Sequence, residues 1–252
     1  MGLLDRLRQG RDDSGRDGVP ASSTPTDADL VRSVAATEPS TRAEQLEELE
    51  ESAREMVAPA FEIRARIEEA LVEQFVEDDD YDLTDDDIRE VLGRVWQERL
   101  AEEVTWADEG DYTRLEAAFE ALDGRGIVAR MNFACCQTCG HAEIDDEKAD
   151  GSRGYVFFHQ QDAERLAPGG CDLFLAFGGF DLAAGLDPSL VEHAAAGDEQ
   201  EKQSAITQAE ELVGAQVAAA LRGEGLTVEW DGTCSQRIQV TGLDWRKRLP
   251  VG

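Results

Sequence analysis

Residues 134 to 147 read ACCQTCGHAEIDDE and place Cys135, Cys136 and Cys139, three of the chain's five cysteines, just ahead of His141. Thiols gathered this closely admit three readings. Cys136-x-x-Cys139 has the spacing of a zinc half-site, and Cys135, His141, His159 or Cys171 could complete a tetrahedron around the ion. The same pair suits thiol chemistry, with Cys136 as nucleophile and Cys139 as resolving thiol. A cysteine that follows a strand and opens a helix meets the positive end of a dipole that favours the thiolate, although Asp145, Asp146 and Glu147 oppose it. Finally, cysteines serve as small apolar fillers at a strand end, where they do no chemistry. A single C-x-x-C does not choose among the three.

The elements around the cluster decide which side chains it can meet. GIVARMNF, GYVFFHQ and DLFLAFG each alternate or run apolar in the manner of strands, and LTVEW and QRIQVTG flank an Asp231-Gly232 turn as a hairpin. A helix with Ile206, Ala209, Val213, Val217 and Leu221 on one face is expected over 199–222, stopped by Gly223. If residues 139–150 also form a helix, the class is α+β, and the plan is a ferredoxin-like βαββαβ sheet with an extra C-terminal strand. In that plan Cys135 and Cys136, His159 and Gln160, and Cys171 and Asp172 share one edge. Cys234 falls at the opposite one.

Before the sheet comes an acidic helical region. Apolar residues from Leu49 to Ala70 recur at helical spacing and Pro59 interrupts them, so two helices or one kinked helix are expected. Thr84, with Asp87 three residues on, is a capping box that opens a helix burying Ile88, Val91, Leu92, Val95 and Leu100. A third helix runs from about Asp111 to Gly124. Residues 1–41 are read as a disordered polar tail, 42–110 as the helical region and 111–249 as the α+β domain.

Charge narrows the function. With 24 Lys+Arg against 55 Asp+Glu, the formal net charge of −31 repels phosphate backbones and anionic lipid, so neither nucleic acid nor membrane is expected as a partner. No apolar stretch reaches membrane-spanning length, and the opening residues lack a secretion or myristoylation signal, so a cytoplasmic protein is expected. The run DDDYDLTDDDIRE imitates a calcium loop through Asp78, Asp80, Asp82, Thr84 and Asp86. It carries Leu83 where the turn glycine belongs and Arg89 where the last carboxylate belongs, so it reads as a connector. No Walker, dinucleotide or Ser/His/Asp pattern occurs.

The stretches DYTRLEAAFEALDGRGIVARMNFACCQTCGHAEI, GYVFFHQQD, LTVEWDG and LDWRKR, in this order, resemble a bacterial family known as domain of unknown function 6891. The likeness covers roughly residues 60 to 249. It matches Cys135, Cys136, Cys139, His159, Gln160, Gln161 and Asp162, and it does not extend to Cys171 or Cys234. The resemblance implies an architecture and a focus but no reaction. The expectation is therefore a non-enzymatic binding or regulatory module for a protein or small ligand, whose Cys/His cluster (Cys136, Cys139 and His159, with Cys135 and His141 as further candidates) holds zinc or serves the fold. The alternative is a thiol-dependent redox protein or sensor.

Overall fold

A computed structural model describes residues 40–180, 186, 188–197 and 199–251, so most of the expected polar tail lies outside the described residues. From Ser40 onward the chain forms one compact unit. Among the described residues it has eight α-helices and a five-stranded mixed sheet.

Three helices, α1 (Arg42–Val57), α2 (Arg64–Phe75) and α3 (Asp85–Glu103), pack around Leu49, Leu71, Phe75, Ile88 and Leu92, all fully buried. Their limits follow local chemistry. Thr41 with Glu44 and Thr84 with Asp87 each close a reciprocal capping box, which satisfies backbone donors that a helix start leaves orphaned. α1 ends at Val57 with Ala58 as its C-cap, still in helical geometry and donating to the Arg54 carbonyl; Pro59 follows, and Ala60 turns the chain through the left-handed region at φ 59°. Arg89 forms ion pairs with Asp85, Asp86 and Glu68, so at the position where a calcium loop needs its last ligand the chain carries a cation that pairs with the neighbouring acids. Leu100, expected on the buried face of α3, is 37% exposed. The buried positions after Val95 are instead Arg99 and Glu103.

The C-terminal segment fastens these helices to the sheet. Trp245 is fully buried, donates from Nε1 to the Pro59 carbonyl at 3.1 Å, and meets the Tyr112 ring edge-on at 5.3 Å. Arg99 donates from Nη2 to the carbonyls of Ala58 and Lys247, at 3.1 and 3.0 Å.

The sheet contains β1 (Ile127–Arg130), β2 (Gly154–Phe157), β3 (Cys171–Gly179), β4 (Val228–Glu229) and β5 (Ile238–Leu243) in the order β1-β2-β3-β5-β4. All five strands fall in stretches whose sequence reads as strand. Their arrangement corrects the ferredoxin-like expectation. In that plan the first and second strands are split by another, whereas here β1 pairs directly with β2, in parallel, with Ile127 opposite Gly154 and Arg130 opposite Phe157. The connection is short in structure: a seven-residue helix α5 (Gln137–Glu143) and a 3-10 turn (Ile144–Glu147). Ile144 packs with Val128, Phe157 and Ala176, which belong to β1, β2 and β3 on one sheet face.

The opposite face carries the main core. There α4 (Asp111–Asp123) and α8 (Glu199–Gly223) bury Leu115, Leu122, Val213, Val217 and Leu221 against Ile127, Val156, Leu173, Leu175 and Val240. Two further helices, α6 (Gln160–Ala163) and α7 (Pro188–Ala196), have no counterpart in the sequence reading. No helix among the described residues is long and apolar enough to cross a membrane.

Candidate metal centre

The parallel β1–β2 pair delivers two chain ends to the same side of the sheet. Beyond Arg130 the chain does not turn away at once. Phe133 donates its N–H to the Phe158 carbonyl at 2.8 Å, and Gln160 donates to the Ala134 carbonyl at 3.1 Å, so the two segments stay tied past the strands. On either side of Phe133, Asn132 and Ala134 adopt φ of 50° and 60°. Alanine in this region costs roughly 1–2 kcal/mol, and the ties hold it there. Immediately after this bend the chain presents Cys135 and Cys136 and enters α5, whose first turn supplies Cys139.

The three sulfurs converge. Sγ of Cys135 lies 3.4 Å and Sγ of Cys136 lies 3.5 Å from Sγ of Cys139, and all three fall within 4.8 Å of one another. A disulfide needs about 2.05 Å, so these are free thiols in contact. Thiolates about 2.3 Å from a tetrahedral zinc ion stand about 3.8 Å apart, so a small outward movement would make this triangle three corners of such a site. The sulfurs do not sit in separate apolar pockets: Cys135 is exposed and the other two are half-buried.

Their electrostatics differ. The backbone amide of Cys139, followed by the Cys139 thiol, lowers the pKa of Cys136 below that of an ordinary thiol. Hydrogen bonds with Cys135 and Cys136 push Cys139 up to about 12, because each neighbouring sulfur prefers its partner as the donor. Deprotonating the trio together therefore requires a counter-cation.

Gly140 explains how α5 comes close enough. A Cβ at this position would lie 2.4 Å from Cε2 of the fully buried Phe157, so only glycine lets the helix rest on β2 directly after Cys139.

The histidines occupy other places. His159 lies two residues beyond β2 and caps α6: its Nδ1 accepts the Asp162 N–H at 3.2 Å, and its Nε2 lies 3.0 Å from Asp162 Oδ2. Both ring nitrogens are thus engaged, and burial lowers its pKa, which the facing Asp162 only partly opposes. It shares a cleft with Cys136, as the crossover predicts, yet neither His159 nor His141 offers a nitrogen within 4.8 Å of all three sulfurs. His141 hydrogen-bonds through Nδ1 to the Tyr155 hydroxyl at 3.0 Å.

Cys171 departs from the expected shared edge. Phe157 pairs with Ala176, so Cys171 stands five residues further along β3, roughly 17 Å at the rise of an extended strand. There it pairs with Leu243, 3.5 Å from whose carbonyl its sulfur lies, and burial raises its pKa. Cys234, in the β4–β5 turn, has Glu210 and Glu211 of α8 for charged neighbours and lies outside the sulfur group, as expected.

Sequence reasoning did not find Arg237. Its Nη2 donates to Asp162 Oδ2 and to the Phe174 carbonyl, completing a His159–Asp162–Arg237 chain along the cleft. Arg237 lies 75 positions from Asp162, and no local pattern marks it. The capping role of His159 was legible in principle, because His-Gln-Gln-Asp after a strand sets an acid at the third helical position. The cleft has a volume of about 530 Å³. A second one of about 370 Å³, lined by Met56, Phe61 and Ile67 among others, includes none of the cysteines.

A family model spans residues 42–249, covering every element from α1 through β5 and the whole cysteine centre. The chain belongs to the family described as Domain of unknown function (DUF6891). No curated protein and no solved structure matches it. The DUF6891 domain thus contains a group of three cysteines, Cys135, Cys136 and Cys139, that could hold a metal ion.

Proposed function

We propose that this DUF6891 domain is a zinc-binding module in which Cys135, Cys136 and Cys139 are the protein ligands, acting as a non-enzymatic binding or regulatory protein of the cytoplasm. The observation that carries this reading is the triangle of sulfurs, at 3.4 and 3.5 Å from Cys139 and all within 4.8 Å. Three thiolates form a soft donor set, which suits zinc far better than magnesium or calcium. A bound zinc ion would supply the positive charge that lets all three thiols ionise, including Cys139, and would tie the bend after β1 to α5. His159 takes a supporting role in this scheme, capping α6 beside the centre while Asp162 engages both of its nitrogens.

Metal analysis of freshly purified protein tests the proposal. About one zinc per chain is expected, with loss of that zinc in Cys136→Ser and Cys139→Ser. A metal-free chain, or one whose zinc survives both substitutions, overturns it.

One observation favours a second reading. The Cys136 thiol has a lowered pKa and stands 3.5 Å from Cys139, the arrangement of a nucleophilic and a resolving cysteine. On that reading the chain is metal-free, Cys136 alkylates fastest, and mild oxidation joins it to Cys139.

A further inference from the structure

The cleft beside Cys136 is an exception to the charge of the chain around it. Among its lining residues two are arginines, Arg165 and Arg237, and one, Asp162, is acidic, in a protein of net charge −31. Asp162 is already committed to Arg237 and His159. Arg165 is exposed, and its side chain has no partner among the described residues. Arg237 uses only Nη2, while its Nε is buried without a partner. A guanidinium presents a planar fork of donors that matches a carboxylate or phosphate. Gln161, exposed on the same wall, adds an amide donor.

We propose that this cleft binds a small organic anion through its oxyanion head group, with Arg165 as the principal contact and Arg237 as the second, so that the bound anion lies beside Cys136. The proposal rests on the cleft and its arginines and holds whether or not the sulfurs carry zinc. The volume of about 530 Å³ admits a metabolite-sized molecule.

Cys136 itself reports on the cleft. Iodoacetate is anionic and iodoacetamide neutral, and at one pH both react with the same thiolate fraction, so the ratio of their rates reads local potential alone. Full-length protein, as purified and again after chelation, is treated with each reagent. The rate at Cys136 is followed by peptide mass spectrometry, and N-acetylcysteine serves as the reference thiol.

If the cleft gathers anions, the iodoacetate-to-iodoacetamide ratio at Cys136 exceeds that of the reference about fivefold, as one unit charge at about 4 Å in water gives. Arg165→Gln, a change at an exposed and unpartnered side chain, returns it to the reference value or below. Succinate and inorganic phosphate, each added at constant ionic strength, then separate the two head groups. The one that fits lowers the wild-type ratio toward the variant's at millimolar concentration. A wild-type ratio at or below the reference overturns the proposal, since the −31 charge alone predicts that result. An unchanged ratio in Arg165→Gln, or competition by neither anion, overturns it as well. Zinc content is unaffected by Arg165→Gln, and the ratio survives the absence of zinc, so failure of the metal reading and failure of this one are separately visible.

Discussion

Replacing Gly140 by alanine tests how α5 holds the centre. An added Cβ would lie 2.4 Å from Cε2 and 2.6 Å from Cζ of Phe157, whereas carbon atoms in contact stand about 3.5 to 4.0 Å apart. The helix or the ring must therefore move by about 1 Å. The ring has nowhere to go, being fully buried against Val128, Ile144 and Ala176. Overpacking of this kind costs about 1–3 kcal/mol, while alanine in place of glycine inside a helix returns at most about 1 kcal/mol. An approach of 2.4 Å places the cost near the middle of that range, about 2 kcal/mol, so the balance is a loss of about 1–2 kcal/mol, which for a domain of this size lowers Tm by roughly 2–8 °C. Movement of α5 also displaces Cys139, so zinc content should fall along with stability. Thermal unfolding followed by circular dichroism, with metal analysis on the same samples, measures both. A Tm equal to or above that of the wild type would show that helix propensity prevails and that α5 does not rest on Phe157, and the account of the sulfur triangle would go with it.

Other outcomes are expected nearby. Ala134 has φ 60°, so Ala134→Gly should keep or raise stability by up to about 1 kcal/mol, while Ala134→Val should lower it by more than about 1 kcal/mol; urea denaturation that ranks the three otherwise refutes the strained bend. Burial lowers the pKa of His159 below its ordinary value of 6.5, so below about pH 6.5 the unfolded chain takes up a proton that the folded chain refuses. Stability should consequently drop as pH falls through that value toward the depressed folded pKa, and His159→Gln should flatten this drop; identical pH profiles for the two proteins would place His159 in an exposed setting.

Much of the fold was legible because its causes are local. Thr84 and Asp87 define a helix start three residues apart, Pro59 breaks α1 from α2, and Gly124 and Gly223 fall at or just past the ends of α4 and α8. Strand positions were equally plain: Phe157 and Phe158 point to opposite faces, as alternation requires. Sheet order was not, since split and unsplit βαβ plans share one element sequence and differ only in which strands pair. The extra length of β3 likewise removed Cys171 from the site through register alone. Within the centre, adjacency in the chain announced the three cysteines. The commitment of His159 to Asp162 and the arrival of Arg237 from β5's leading edge depend on long-range packing that no short window contains.

X-ray absorption at the zinc edge reaches the central claim most directly, because it counts the atoms bound to the ion. Three sulfur neighbours at about 2.3 Å, with one lighter donor completing the shell, are expected for the wild type, and two sulfurs for Cys135→Ser if the site still fills. A shell of oxygen and nitrogen with one sulfur or none would mean that the cysteine triangle is not a metal centre.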